Sequence, residues 1–311
     1  MSRLRFMWSL LAFAFLTGCS TVPASSVTKS PNSSSSHSST AAKAPKQNGQ
    51  SSPLSGTKST SGSSTGQTPV STKPAAPSYP VLSLGNHSQA VLKLQQELAQ
   101  LHYLPLSFST NSQASTSTSQ TNPVNWTWTY ANTPAALKQF FIPGTYTVLV
   151  EGAVMSFERV NGLATDGIAG AKVWQALSAD IAKHQVNPYG YSYVYVTKSI
   201  PERLILWHDG TDVLVSNANT GIAQSPTPNG TWPVYLRYQS QTMKGTNPNG
   251  THYSDPGVPY VNYFYQGDAV HGFIRSSYGY PQSLGCVELP IPAAKQAWNY
   301  IHYGTLVTVT A

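Results

Sequence analysis

A cysteine and a histidine near the C-terminus have the spacing and the chemistry of a nucleophile and its base. Cys286 lies 15 positions after His271, and the segment between them is rich in Gly, Pro and Tyr, so it can fold back on itself. A neighbouring histidine lowers the pKa of a thiol and can later act as general acid, so we expect a Cys286 pKa below the ordinary value of about 8.5. Asp268 is the nearby carboxylate that stands out, but the group we expect to hold the imidazole tautomer is the backbone carbonyl of Gly272.

The alternative interpretation is that Cys286 is a buried core residue and His271 a turn histidine, because free cysteine is among the most buried residue types. A core cysteine seldom sits in a Gly-Cys turn flanked by Gly279, Tyr280 and Pro281, however. The surroundings therefore favour the catalytic interpretation.

These residues resemble the L,D-transpeptidase catalytic family of bacterial cell-wall enzymes. That family carries His-Gly and, roughly fifteen to eighteen residues later, Ser-His-Gly-Cys followed by an apolar residue and commonly Arg or Asn. The resemblance covers about residues 191–311. The residues that match this pattern are His271-Gly272, Ser283, Gly285, Cys286 and Val287. Upstream, Thr227-Pro228-Asn229-Gly230 matches the family's Thr-Pro-x-Gly signature.

Two positions depart from the family pattern. Leu284 stands where His is usual, and Glu288 replaces the usual Arg or Asn. The oxyanion donors that the resemblance implies are backbone N–H groups around Leu284 to Cys286, which a leucine side chain need not abolish. Supporting roles are therefore predicted for Gly272, Ser283, Leu284 and Gly285.

The resemblance implies acyl transfer in peptidoglycan without a cofactor. Cys286 would attack a carbonyl between an L- and a D-centre in a tetrapeptide stem, release the terminal D-residue and pass the acyl group to an amine of another stem. Water as acceptor would give an L,D-carboxypeptidase instead. Tyr260, Asn262 and Tyr263 precede the histidine and are candidates for the substrate groove.

Two other classes of protein are alternatives. A papain-like wall endopeptidase also uses Cys and His, but there the Cys precedes the His in the sequence, the reverse of the order found here. A wall-binding lipoprotein with a decayed catalytic domain would account for Leu284 and Glu288.

The N-terminus has the organisation of an export signal. A basic start precedes an apolar run from Phe6 to Leu16, which is too short for a lasting membrane span. The following Leu-Thr-Gly-Cys resembles a bacterial lipobox and predicts a signal peptide at 1–18, a lipid anchor on Cys19 and an exported, membrane-anchored envelope lipoprotein. An ordinary signal peptide cleaved nearby is the alternative. With Cys19 lipidated, Cys286 has no disulfide partner, because the chain has two cysteines.

A polar tether is predicted at 19–79. Its Ser, Thr, Pro, Ala, Gly and Lys cannot bury enough apolar surface to fold, and roughly 60 such residues span about 40 Å on average. Of the 18 basic and 11 acidic residues in the chain, 7 basic residues precede residue 80, so the folded part is formally neutral. This argues against nucleic-acid binding and fits a basic tail among anionic wall or lipid polymers.

A small all-α module is predicted at 80–182. Apolar residues recur at helical spacing from Val91 to Leu101 after an N-cap pair of Asn86 and Gln89. Further helices are predicted after the N-cap Thr133-Pro134, from about Gly152 to Val160, and around Val173, Trp174 and Leu177, with turns at Asn161-Gly162 and Asp166-Gly167.

This module resembles the peptidoglycan-binding domain family, which implies that it holds the glycan and stem peptides of the wall. A helical spacer that binds nothing is the alternative. The stretch of about 105–150 is far longer than the family's connection and is an insertion of unknown function. The matching residues are Gly85, Val91, Leu94, Gln95, Phe157, Gly162, Leu163, Asp166, Gly167 and Gly170.

The catalytic domain at 190–311 is predicted to be mainly β and sandwich-like, large enough for its own core. The whole chain is therefore expected to be multidomain, with an all-α wall-binding module before an L,D-transpeptidase catalytic domain. The predicted elements are strands at Tyr191–Val196, Leu204–Trp207, Val213–Ser216 and Leu306–Thr310, a hairpin turn at His208-Asp209-Gly210 and a helix from Pro292 through Ala297 and Ile301.

Three further histidines, His208, His252 and His302, have none of the spacings that bind zinc. We expect surface or hairpin positions for them and no metal site.

Overall fold

The computed structural model describes residues 79–110 and 124–311. A helical region precedes a mainly β region, as predicted. The signal peptide, Cys19, nearly all of the tether and the Ser/Thr/Gln-rich part of the insertion lie outside the described residues. No helix within the described ranges is long and apolar enough to cross a membrane.

The helices and strands follow one another in a simple order, with four helices and a hairpin before the strands of the β region. In chain order they are α1 (Gln89–Gln100), β1 (Leu106–Thr110), β2 (Val124–Trp128), α2 (Ala135–Lys138), α3 (Val148–Val160), α4 (Ala171–Lys183), β3 (Ser192–Thr197), β4 (Arg203–His208), β5 (Thr211–Asn217), β6 (Gly230–Pro233), β7 (Leu236–Thr246), β8 (His252–Tyr265), β9 (Asp268–Gly272), β10 (Val287–Leu289), α5 (Ile291–Trp298) and β11 (Leu306–Thr310).

The predicted N-caps of two helices are wrong. At α1 the cap is Ser88, whose hydroxyl accepts the amide of Val91, whereas Asn86 accepts an amide in the preceding turn. At α2 the cap is Pro134, and the hydroxyl of Thr133 donates to a backbone carbonyl outside the helix. An N-cap side chain must lie directly before the first turn for its oxygen to reach the free amides of that turn. Ser88 has this position in α1, whereas Asn86 is too far from the turn.

Two sheets pack face to face in the β region. One has the strand order β5-β4-β3-β11-β6 and the other β10-β9-β8-β7. The predicted hairpin is the antiparallel pair β4–β5, the C-terminal strand β11 runs parallel to β3, and Pro292 lies in the first turn of α5. The core shared by the two sheets and α5 includes Val194, Val196, Leu204, Leu206, Phe264, Val270, Val287, Ala294, Val307 and Val309.

The central strands β3, β4 and β11 of the five-stranded sheet carry buried side chains on both faces. Its second face contributes Tyr193, Trp207 and Leu306 to the core of the helical region, because side chains alternate along a strand. Gly152 in α3 and Gly304 before β11 approach so closely that a Cβ on either would collide with the carbonyl oxygen of the other. The described helical and β regions therefore belong to one compact unit with a continuous interface.

Part of the predicted insertion forms the antiparallel hairpin β1–β2. Phe108, Trp126 and Trp128 pack against the helical core, and Tyr130 packs edge-on against Trp207. Asn132 Nδ2 donates to a carbonyl in the β4–β5 turn. The hairpin and the residues that follow it thus join the helical region to the five-stranded sheet.

Candidate active site

Strands β9 and β10 run parallel and bring the two candidate catalytic residues to one cavity. The register pairs Val287 with Val270 and Glu288 with His271, so Cys286 lies one residue before β10. The cavity has a volume of about 970 Å³ and is lined by both Cys286 and His271. Other functional side chains on its wall are Lys244, Asp255, Tyr263, Asp268, Arg275, Leu284 and Glu288.

His271 is buried, and its tautomer is fixed by the main chain. Its Nδ1 lies 3.1 Å from the carbonyl oxygen of Gly272, which can only accept, so Nδ1 carries the proton and Nε2 keeps the lone pair. Burial lowers the pKa of His271, and the positive charge of Arg275 lowers it further. The hydrogen bond to Gly272 and the charge of Glu288 raise this pKa but are outweighed. The imidazole is therefore an uncharged base at neutral pH.

The expected lowering of the Cys286 pKa is wrong. Burial of the sulfur in an apolar cluster raises the pKa of the thiol to about 12, and the charges of Asp268 and Glu288 also raise it, opposed by the backbone N–H of Ala269. The physical reason is that loss of solvent disfavours the thiolate, and the neutral His271 supplies no positive charge to offset that loss. Cys286 rests as a thiol and has to lose its proton during the reaction.

Side-chain hydrogen bonds hold the loop before Cys286. Ser283 Oγ donates to the carbonyl oxygen of Cys286 at 2.6 Å and accepts the amide of Gly285 at 3.2 Å. The fully buried Thr227 donates from Oγ1 to the carbonyl oxygen of Gly285 at 2.7 Å. The Thr-Pro-Asn-Gly motif therefore anchors the cysteine loop from a distant part of the sequence.

Two amides of this loop remain available for an oxyanion. The amide of Gly285 is taken by Ser283, whereas those of Leu284 and Cys286 donate to no acceptor in the described part of the chain. Gly285 has a φ of 123°, in a region that favours glycine. Of the predicted supporting residues, Leu284 thus offers a donor, while Gly285 shapes the loop.

Glu288, which departs from the family pattern, has its countercharge in Arg275. The guanidinium donates from Nε at 2.8 Å and from Nη2 at 2.7 Å to the two carboxylate oxygens. Arg275 also lies over the ring of Phe273, 4.6 Å from its centroid. Because Glu288 is only 4 % exposed, the pair neutralises a buried charge in the cavity wall. Sequence reasoning missed Arg275, although its charge opposite to Glu288 within the same segment was a usable signal.

One of the three predicted groove residues lines the cavity, and two do not. Tyr263 does. Asn262 is 1 % exposed and accepts a hydrogen bond from Arg237, and Tyr260 packs against Trp298. The correction follows from strand geometry, because neighbouring side chains point to opposite faces and the positive φ of Tyr260 interrupts the alternation.

The remaining histidines lie in different environments. His252 is exposed, and His208 is half-buried beside Ser192 at the hairpin. His302 is half-buried and stacked on Tyr189, and burial lowers its pKa to about 4. The described residues contain no group of three or more His, Cys, Asp or Glu arranged to hold a metal ion.

Comparison with known protein families identifies two segments. Residues 193–309 match the family described as "L,D-transpeptidase catalytic domain", and residues 135–177 match the one described as "Putative peptidoglycan binding domain". These matches imply peptidoglycan as substrate and a place of action outside the cytoplasm. No curated protein matches the chain.

Several solved structures are similar to parts of the chain. The catalytic domain of an L,D-transpeptidase from E. faecium is 28% identical over 38% of this chain and 96% of that one, with a TM-score of 0.35. An L,D-transpeptidase from Mycobacterium smegmatis is 20% identical over 39% of this chain and 59% of that one, with a TM-score of 0.34. A fused Zn-dependent amidase/peptidase/peptidoglycan-binding domain-containing protein from Clostridium acetobutylicum is 14% identical over 74% of this chain and 99% of that one, with a TM-score of 0.39.

Proposed function

We propose that the protein is a peptidoglycan L,D-transpeptidase that transfers an acyl group through a thioester on Cys286. The observation that carries the proposal is the meeting of Cys286 and the neutral base His271 in one cavity, within a segment that matches the L,D-transpeptidase catalytic domain.

The proposed acylation needs a proton transfer within the step of attack. His271 Nε2 takes the thiol proton as the sulfur attacks the carbonyl carbon, and the amides of Leu284 and Cys286 stabilise the oxyanion. The imidazolium then gives its proton to the departing amine of the D-residue. Because the thiol pKa is raised and the imidazole pKa is lowered, both groups are neutral before the substrate binds.

The rest of the chain would deliver this site to the wall. In the proposed arrangement, Cys19 carries the lipid anchor after cleavage of residues 1–18, and residues 19–79 form the tether. Residues 80–182 then bind peptidoglycan beside the catalytic domain at 190–311, and the match of residues 135–177 to a peptidoglycan-binding family supports the binding role.

Hydrolysis of the same thioester is a second candidate outcome. The cavity is large and open enough to admit water at Cys286, which is half-exposed. In that case the protein would be an L,D-carboxypeptidase that trims stems without joining them.

The decisive experiment follows the thioester and its products. The full chain, purified in detergent, is incubated with disaccharide tetrapeptides, and intact-protein mass spectrometry should show an acyl adduct on Cys286 after loss of the terminal D-residue. Cross-linked dimers would report transfer, and trimmed monomers would report hydrolysis.

Cys286→Ala should abolish both the adduct and the products, whereas Cys19→Ala should retain them as a matched control. Wild-type turnover by Cys286→Ala would place the chemistry elsewhere. A wild-type protein that forms neither adduct nor product would support the decayed-domain alternative.

A further inference from the structure

We propose that Asp268 binds the ammonium group of the acyl acceptor and so directs the Cys286 thioester toward an amine and away from water. The inference rests on the proposed function, because it concerns the fate of the thioester. The acceptor class that it names is a primary amine that is protonated at neutral pH.

Asp268 lies beside the nucleophile. It opens β9 directly after Gly267, whose carbonyl oxygen is 3.9 Å from the sulfur of Cys286. Its carboxylate packs so closely against Gly285 that a Cβ there would collide with Oδ1, and it lines the same cavity as Cys286. The carboxylate is therefore next to the atom that would carry the acyl group.

This carboxylate has no counterion or hydrogen-bond donor within the described ranges. Arg275, the cavity's guanidinium, is already paired with Glu288. Partial burial raises the pKa of Asp268 to about 6, so the group is ionised but incompletely solvated at neutral pH. A partly buried carboxylate without a countercharge costs solvation free energy, and its negative charge raises the pKa of the neighbouring thiol. A bound ammonium would reduce both the cost and the rise in pKa.

In the second half-reaction the C–S bond breaks and a C–N bond forms. The ammonium first releases one proton to solvent, and the amine attacks the thioester carbonyl. A second proton passes from the nitrogen through His271 to the sulfur, which leaves as the thiol, and the nitrogen keeps one hydrogen as an amide. Asp268 acts before attack by concentrating and orienting the amine, an advantage that water does not share.

The test is the partition of a preformed thioester. The acyl-enzyme of the full chain is mixed with a tetrapeptide that bears a free primary amine, or with hydroxylamine, a small amine that is uncharged at neutral pH. Asp268→Asn keeps the shape and removes the charge. We expect it to lower the ratio of cross-linked to hydrolysed product about tenfold, the effect of losing one charge-assisted hydrogen bond. The ratio of hydroxamate to hydrolysed product should stay unchanged.

The wild type provides an independent measurement through pH. The titratable groups that interact with the charge of Asp268 are Cys286, Tyr235 and Tyr253, and their raised pKa values keep them protonated in the acid and neutral range. The advantage of wild type over Asp268→Asn should therefore disappear as the pH falls through about 6, where Asp268 gains a proton.

Three outcomes would overturn the inference. Equal partition of the thioester in wild type and variant would refute the acceptor role and leave the proposed function intact. A parallel fall with hydroxylamine would indicate a general disturbance of the site. Failure of the wild type to form a thioester would overturn the inference together with the proposed function.

Discussion

Neither Cys286 nor His271 is charged at rest, so the two residues do not form a thiolate–imidazolium ion pair before the substrate binds. Burial raises the thiol pKa and lowers the imidazole pKa, so the two shifts work against a standing thiolate–imidazolium pair. Such a site holds its sulfur as a weakly nucleophilic thiol until His271 takes the proton during the reaction.

This arrangement predicts the pH dependence of acylation. Burial lowers the pKa of His271 below its ordinary value of 6.5, so the imidazole is still a neutral base at pH 6.5. Acylation should therefore fall only when the pH drops through this lowered pKa. Above that point the rate should reach a plateau, because the thiol keeps its proton until about pH 12. Rates of adduct formation measured by mass spectrometry across the acid and neutral range would show this profile.

His271→Ala is the matched variant for that measurement. Without the base, acylation should be slow and should rise with pH as the thiolate fraction grows. A wild-type profile that also rises steadily into the alkaline range would contradict the neutral dyad.

At the scale of elements, the site depends on strands and loops that are far apart in the sequence. The parallel pairing of β9 and β10 sets His271 beside Glu288, and Thr227 holds the carbonyl of Gly285. The helical region contacts the other, five-stranded sheet through the close approach of Gly152 and Gly304. Disturbing that contact should affect the stability of the unit before it affects the chemistry.

Gly152→Ala tests the contact between the helical and β regions. The added Cβ would collide with the carbonyl oxygen of Gly304, which is backbone and cannot rotate away, so we expect a loss of about 1–3 kcal/mol in the free energy of unfolding. Denaturant unfolding followed by circular dichroism provides the measurement.

Gly170→Ala is the control, because a Cβ at Gly170 would meet nothing within 4 Å and its φ of −90° suits any residue. A Gly152→Ala protein as stable as this control would contradict the expected cost of crowding Gly304.

For the whole molecule, the shared core limits how the wall-binding role can be studied. Deleting the helical region would expose Tyr193, Trp207 and Leu306, all of which are at most 1 % exposed in the intact unit. Loss of activity on intact walls after such a deletion would therefore mix lost binding with lost stability.

Membrane attachment is predicted to depend on Cys19. Two acyl chains give stable anchoring, whereas the folded part is formally neutral and the basic tether adds only electrostatic attraction. Cys19→Ala should move the protein from the membrane fraction to the soluble fraction, as followed by immunoblotting of fractionated cells. An unchanged membrane fraction would contradict the lipoprotein prediction.

The sequence by itself determined the order of the regions and the chemistry to look for. Periodic apolar residues predicted α1, alternation predicted β3 and β11, and the motif around Cys286 predicted the family that residues 193–309 match. These features are local, because a helix period, a strand period or a loop motif is complete within a few neighbouring residues.

Tertiary structure decided the electrostatics of the site and the partners of its residues. The pairing of Arg275 with Glu288, the isolation of Asp268 and the raised pKa of Cys286 depend on burial and on neighbours brought together by folding. The predicted groove at Asn262 was wrong for the same reason, since the face that a strand residue presents is set by its pairing and by irregularities such as the positive φ of Tyr260. Charge and burial are properties of the packed chain, and no spacing of residue types specifies them.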